Sequence, residues 1–132
     1  MIDKNQRDAL IDQAREAREN AYAPYSHFCV GAALLTSGGN VYLGCNVENV
    51  SFTPTCCAER VAFFSAIAEK ERDFSAIAIV GNTHRCMPCG VCRQVMAEFC
   101  HKDFVVIWGN GEKITTKTLG EILPCGFDKS NL

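Results

Sequence analysis

The sequence predicts an α/β sandwich. Two observations carry the prediction: apolar runs of strand length alternate with stretches of helical period, and glycine- or proline-containing turns separate them. A third, the absence of any internal repeat or low-complexity tract, removes solenoid and fibrous alternatives. A chain of 132 residues is read as a single domain over 1–132, large enough to bury a core without external staples.

The elements follow in order. From Asp3 to about Asn20, Leu10, Ile11, Ala14, Ala17 and Ala21 recur three and four residues apart among charged residues, the pattern of an amphipathic helix. Ala23-Pro24-Tyr25-Ser26 ends it, because proline disfavours helical geometry in the residue before it. Phe28 to Leu35 reads as a buried strand, and Ser37-Gly38-Gly39-Asn40 as a hairpin turn into a second strand, Val41 to Cys45. Asn46 to Cys56 is a polar, irregular loop. Cys57 to about Glu69 carries apolar residues on too many sides for a narrow stripe and is read as a largely buried helix. Ala76 to Val80 is a short strand, followed by a loop and a helix from about Cys89 to Phe99 behind Pro88. Phe104 to Trp108 is a further strand, and Thr118-Leu119-Gly120-Glu121 offers a capping box for a short terminal helix.

Charge and composition exclude several partners. Thirteen Lys and Arg against fifteen Asp and Glu give a formal charge of -2, and the cations are scattered, so no stripe suits a nucleic acid. No window approaches the roughly 18 apolar residues of a membrane span, and the N-terminus opens on charges where a signal peptide needs an apolar run. Neither nucleic acid nor membrane is an expected partner. Nine cysteines, an odd number with no secretory signal, suit a reducing cytoplasm.

Chemistry concentrates in Thr55-Cys56-Cys57-Ala58-Glu59-Arg60 and Pro88-Cys89-Gly90-Val91-Cys92-Arg93-Gln94. Cys57 can supply one thiolate, and Cys89 with Cys92 two more, since a spacing of three puts both sulfurs on one side of a helical turn. Three thiolates leave one tetrahedral position open, the arrangement of a catalytic zinc. Thiolates at the first turns of two helices are stabilised by unpaired N–H groups and the helix dipole. Arg60 and Gln94 stand beside the ligands, placed to donate hydrogen bonds to sulfur and offset the excess negative charge. Glu59, two residues from a ligand, is the carboxylate that can move the proton of an activated water.

These residues resemble the zinc-dependent nucleoside deaminases, and in particular the small homotetrameric cytidine deaminase family. A Cys in place of His before Ala58-Glu59 points away from the nucleic-acid-editing branch. Tyr22-Ala23-Pro24-Tyr25-Ser26-His27-Phe28-Cys29-Val30-Gly31-Ala32-Ala33 and Gly44-Cys45-Asn46-Val47-Glu48-Asn49 are similar to that family's nucleoside-binding segments. The resemblance implies a three-layer α/β/α sandwich around a mixed sheet of about five strands, one zinc ion per chain, and a homotetramer. It implies hydrolysis of cytidine and 2′-deoxycytidine to the uridines plus ammonia, in pyrimidine salvage. Under it, Phe28 stacks on the pyrimidine, Asn46 and Glu48 hold the sugar hydroxyls, and the backbone N–H of Ala58 orients the base. Phe52 and Phe127 fall where aromatic residues complete a neighbouring subunit's pocket.

Other readings remain open at this level. A cytosine nucleoside of the blasticidin type would be an alternative substrate, though Asn46 and Glu48 fit a ribose. A non-catalytic protein with a structural zinc would close the fourth position with Cys56 or Cys86. Cys86, Cys89 and Cys92 also form the opening of a ferredoxin-type iron–sulfur run, without its fourth cysteine and following proline.

Overall fold

The fold places two helix N-termini at one end of a mixed sheet. The computed structural model describes residues 2–132. Helix α1, Lys4–Arg18, starts at a capping box: the Asp3 carboxylate accepts from Gln6 N at 2.8 Å, and the Gln6 side chain accepts from Asp3 N at 3.1 Å. Strand β1 is Val30–Thr36, β2 Val41–Cys45, β3 Phe74–Gly81, β4 Val105–Gly109 and β5 Ile114–Thr118. Helix α2 is Ala58–Ala68, α3 Gly90–Phe99 and α4 Leu119–Ile122.

The strand order is β2-β1-β3-β4-β5. The pairs β1–β2, β1–β3 and β4–β5 are antiparallel, and β3–β4 is parallel. The turn at Ser37 to Asn40 joins β1 to β2 as expected, whereas the parallel pair needs a crossover, which α3 supplies. Leu10, Ile11 and Ala14 of α1 pack on Ala33, Leu35, Ala76, Ala78 and Val80 on one face. On the other face Ala58, Ala62, Phe63 and Ala66 of α2, Met96 of α3 and Leu119 of α4 cover Ala32, Leu34, Ile77, Ile79 and Val106. This is the three-layer α/β/α sandwich around five strands that the resemblance implied.

Two departures have physical reasons. The first strand begins at Val30 rather than Phe28, because the backbone of Phe28 bonds to side chains: its N–H donates to Ser26 Oγ at 3.0 Å and its carbonyl accepts from Asn46 Nδ2 at 2.8 Å. The fifth strand, Ile-Thr-Thr-Lys-Thr, has no apolar alternation to reveal it. It pairs on one side only, where β-branched threonines suit an edge.

One close approach seats α2. Gly44 in β2 faces the helix so tightly that a Cβ would lie 2.2 Å from the Ala58 carbonyl oxygen and 2.6 Å from Ala62 N. Only glycine lets the first turn of α2 rest on the strand there.

Candidate active site

Cys57 and Cys89 are the residues capping α2 and α3, both with extended backbone, and Cys92 sits in the first turn of α3. The N-cap geometry turns each sulfur toward the gap between the two helices. The Sγ atoms of Cys57, Cys89 and Cys92 all lie within 4.8 Å of one another. Cys57 to Cys89 is 3.9 Å and Cys89 to Cys92 is 3.5 Å. Sulfurs held at about 2.3 Å around a tetrahedral ion stand roughly 3.8 Å apart, close to those two separations, so the triad is spaced to share a zinc ion.

Neither of the two other nearby cysteines joins the triad, which leaves the fourth position to a ligand from outside it. The Cys86 thiol is buried and donates to the Gly109 carbonyl at 3.3 Å and the Ile79 carbonyl at 3.7 Å. With Cys86 turned to those carbonyls and Cys56 outside the sulfur cluster, the structure supports neither the closed structural-zinc reading, which needed one of the two as fourth ligand, nor the iron–sulfur reading, which needed Cys86.

Electrostatics separate the groups. The Cys92 thiol bonding to it, and then the Arg60 guanidinium with Nη2 at 3.5 Å, hold Cys57 down at about 5. Cys92 is pushed far up by the same bond to Cys57 and by burial. Glu59 is only 4 % exposed. Desolvation first, and the charge of Cys57 second, raise its carboxyl to about 7.

Arg60 reaches the Cys57 sulfur, whereas Gln94 is engaged elsewhere. Gln94 Nε2 donates to the Phe127 carbonyl at 2.8 Å, so it anchors the C-terminal segment and leaves the sulfurs to Arg60. Arg93, not singled out from sequence, ties the approach to α3 in place: Nε donates to Pro88 O at 2.8 Å and Nη1 to Ile122 O at 2.7 Å.

A cavity of about 350 Å³ opens on two members of the triad, Cys57 and Cys89, with Cys92 buried behind them. Cys57, Ala58, Glu59 and Cys89 line one part of it, and Phe28, Asn46 and Glu48 line it too. Four elements distant in sequence thus converge as the motifs implied. Asn46 Oδ1 accepts from Val30 N at 2.9 Å while its Nδ2 holds the Phe28 carbonyl, which leaves one N–H and one lone pair for a ligand. Glu48 accepts from Tyr25 N at 3.0 Å, from Ser26 N at 3.1 Å and from Ser26 Oγ. These bonds, the Ser26 hydroxyl foremost, lower its pKa. Phe52 and Phe127 do not line the cavity and are 77 % and 59 % exposed.

The matching sequence family is described as the cytidine and deoxycytidylate deaminase zinc-binding region, and it matches residues 4–108. The chain belongs to this family. It is 50 % identical over 128 residues to a cytidine deaminase of Halalkalibacterium halodurans, covering 96 % of this chain and 97 % of that protein. A cytidine deaminase of Sporosarcina psychrophila is 46 % identical over 95 % of this chain and 93 % of its own length. The crystal structure of cytidine deaminase from Burkholderia pseudomallei superposes with a TM-score of 0.88 at 48 % identity, covering 96 % of this chain and 100 % of that one. Zinc is accordingly the cofactor of the family, and the triad is the group of residues here that can hold it. No helix among the described residues is long and apolar enough to cross a membrane.

Sequence reasoning also missed Ser26, Thr55, Arg85 and Met87, which line the same cavity. Ser26 had a signal, since it lies inside the Tyr25-Ser26-His27-Phe28 run already tied to nucleoside binding. Arg85 and Met87 had none beyond proximity to Cys89.

Proposed function

We propose that the chain is a single catalytic domain that hydrolyses cytidine and 2′-deoxycytidine to uridine and 2′-deoxyuridine, releasing ammonia. The observation that carries this reading is the placement of buried Glu59 beside three converging sulfurs in the same cavity as Phe28, Asn46 and Glu48. The names of its relatives support the substrate class.

Cys57, Cys89 and Cys92 would hold the zinc, one per chain, and Arg60 steadies the Cys57 thiolate. Bound there, zinc supplies Lewis acidity that brings the pKa of water toward about 7. Glu59 takes both protons of the attacking water in turn, passing the first to the ring nitrogen and the second to the leaving amine, which departs as ammonia. A carboxyl lifted to about 7 is suited to both directions of that transfer near neutral pH. Phe28 offers an aromatic face to the base, and the Ala58 N–H orients it. Asn46 and Glu48 keep free hydrogen-bonding capacity for the vicinal hydroxyls of a sugar.

Exposed Phe52 and Phe127 support an assembly in which each side chain lies against a neighbouring copy, completing that copy's pocket in a homotetramer. The setting proposed is cytoplasmic pyrimidine salvage. Following the loss of cytidine absorbance tests the central reading. Glu59→Ala should keep its zinc and lose deamination by several orders of magnitude. Unchanged activity in that variant would remove Glu59 from the mechanism, and absence of turnover in the wild type would overturn the assignment.

A further inference from the structure

The polar groups around Phe28 form a connected device. Ser26 Oγ donates to Glu48 and accepts from Phe28 N at 3.0 Å, so one hydroxyl uses its donor on the sugar-facing carboxylate and a lone pair on the backbone of the base-facing ring. Between them His27 stands at φ 60, a left-handed conformation that a residue with a Cβ adopts at a cost. That turn is over-determined from outside. Asn82 Nδ2 donates to His27 O at 3.1 Å, and Asn46 Nδ2 donates to Phe28 O at 2.8 Å. The backbone N–H and carbonyl of Phe28 are therefore both held by side chains, outside any strand, while His27 N donates to Ala23 O at 3.0 Å within the turn.

We propose that Ser26 is a positioning residue that couples the sugar end of the cavity to its base end. A sugar hydroxyl engaging Glu48 fixes the carboxylate, the carboxylate fixes Ser26 Oγ, and Ser26 Oγ fixes the backbone that carries Phe28. The ring then stacks best on a base whose sugar is bound, which favours a nucleoside over a ligand lacking the sugar hydroxyls. This rests on the deaminase reading above. Ser26 is itself exposed, so truncating it leaves the core untouched.

The test compares wild type, Ser26→Ala and Ser26→Thr in the zinc-loaded protein on cytidine and on 2′,3′-dideoxycytidine. Amide exchange at Phe28 is followed by NMR in the same proteins. Ser26→Ala should raise KM for cytidine roughly 10-fold, with kcat within about 2-fold, because a hydrogen bond to a charged group is lost from binding and not from the chemical step. For the dideoxynucleoside the rise should be smaller, about 3-fold, since only the support of Phe28 is lost there. Exchange at the Phe28 amide should quicken by about 5-fold or more. Ser26→Thr, which keeps the hydroxyl, should return all three to within about 2-fold of wild type. Equal losses on both nucleosides would overturn the coupling, as would an unchanged exchange rate or a threonine variant that behaves like alanine. Wild type that turns over neither nucleoside would overturn the deaminase reading, and the exchange measurement would then decide alone whether Ser26 holds Phe28.

Discussion

Gly44→Ala perturbs the site from outside it. The added methyl would stand 2.2 Å from the Ala58 carbonyl oxygen, 2.6 Å from Ala62 N and 3.1 Å from the Ala62 Cβ, where ordinary contact begins at 3.4 Å. The two nearest atoms belong to helix backbone, so α2 must lift from β2 by about 1 Å. Cys57 caps that helix and Glu59 is its second residue, while Cys89 and Cys92 ride on α3. The displacement therefore splits the triad and moves the carboxylate with one half of it. A misplacement of about 1 Å costs on the order of 100-fold in turnover, and the overpacking itself costs about 1–3 kcal/mol of stability. The assay is kcat/KM on cytidine together with zinc content and thermal melting. Removing the Ala62 methyl in the same chain should not restore activity, because the nearest atom is a backbone carbonyl. A Gly44→Ala protein with full zinc and activity within about 2-fold of wild type would refute the claim that this contact sets the position of α2.

Other perturbations separate the remaining roles. Arg60→Ala removes the guanidinium from Cys57 Sγ and should weaken zinc retention against a chelator by about 10-fold or more, measured by competition. Arg93→Ala strips two carbonyl contacts, to Pro88 and Ile122, and should lower stability by about 2 kcal/mol or more in denaturant melts while the triad still binds zinc. Burial pushes the Cys100 thiol up and so keeps it protonated through the neutral range, and Cys86 is raised by burial as well. Mild alkylation of the zinc-loaded protein near neutral pH should therefore label exposed Cys125 first, with Cys86 and Cys100 reacting only after unfolding, as peptide mass spectrometry can read.

The zinc triad was legible in the sequence because local spacing decides it. One helical turn places Cys89 and Cys92 together, and the Ala58-Glu59 pair follows Cys57 into the next helix start. The partner of Gln94 was not legible, since Phe127 lies 33 positions away and reaches it only through the path of the C-terminal segment. The same holds for Cys86, whose sulfur could have faced the triad but is turned toward the carbonyls of Ile79 and Gly109 by the loop leading to α3. Strand β5 was hidden for another reason: an edge strand of threonine and lysine carries no buried face to mark it.

Two glutamates in one cavity are held in opposite states by their surroundings. Glu59 is wrapped in α2 and its neighbours, so the loss of water raises its carboxyl to about 7 and makes proton exchange cheap in either direction. Glu48 accepts three hydrogen bonds from the Tyr25-Ser26 turn, which lower its pKa and keep it ionised across the same range. A carboxylate that stays charged can anchor hydroxyl donors but cannot shuttle protons, and one poised near neutrality can shuttle protons but is a poor permanent anchor. In the proposed reaction, exchanging the environments would abolish both roles even with every residue retained. The hydrogen bonds of the Ser26 turn are thus as much a part of the chemistry as the desolvation around Glu59, because they decide which carboxylate may lose its charge.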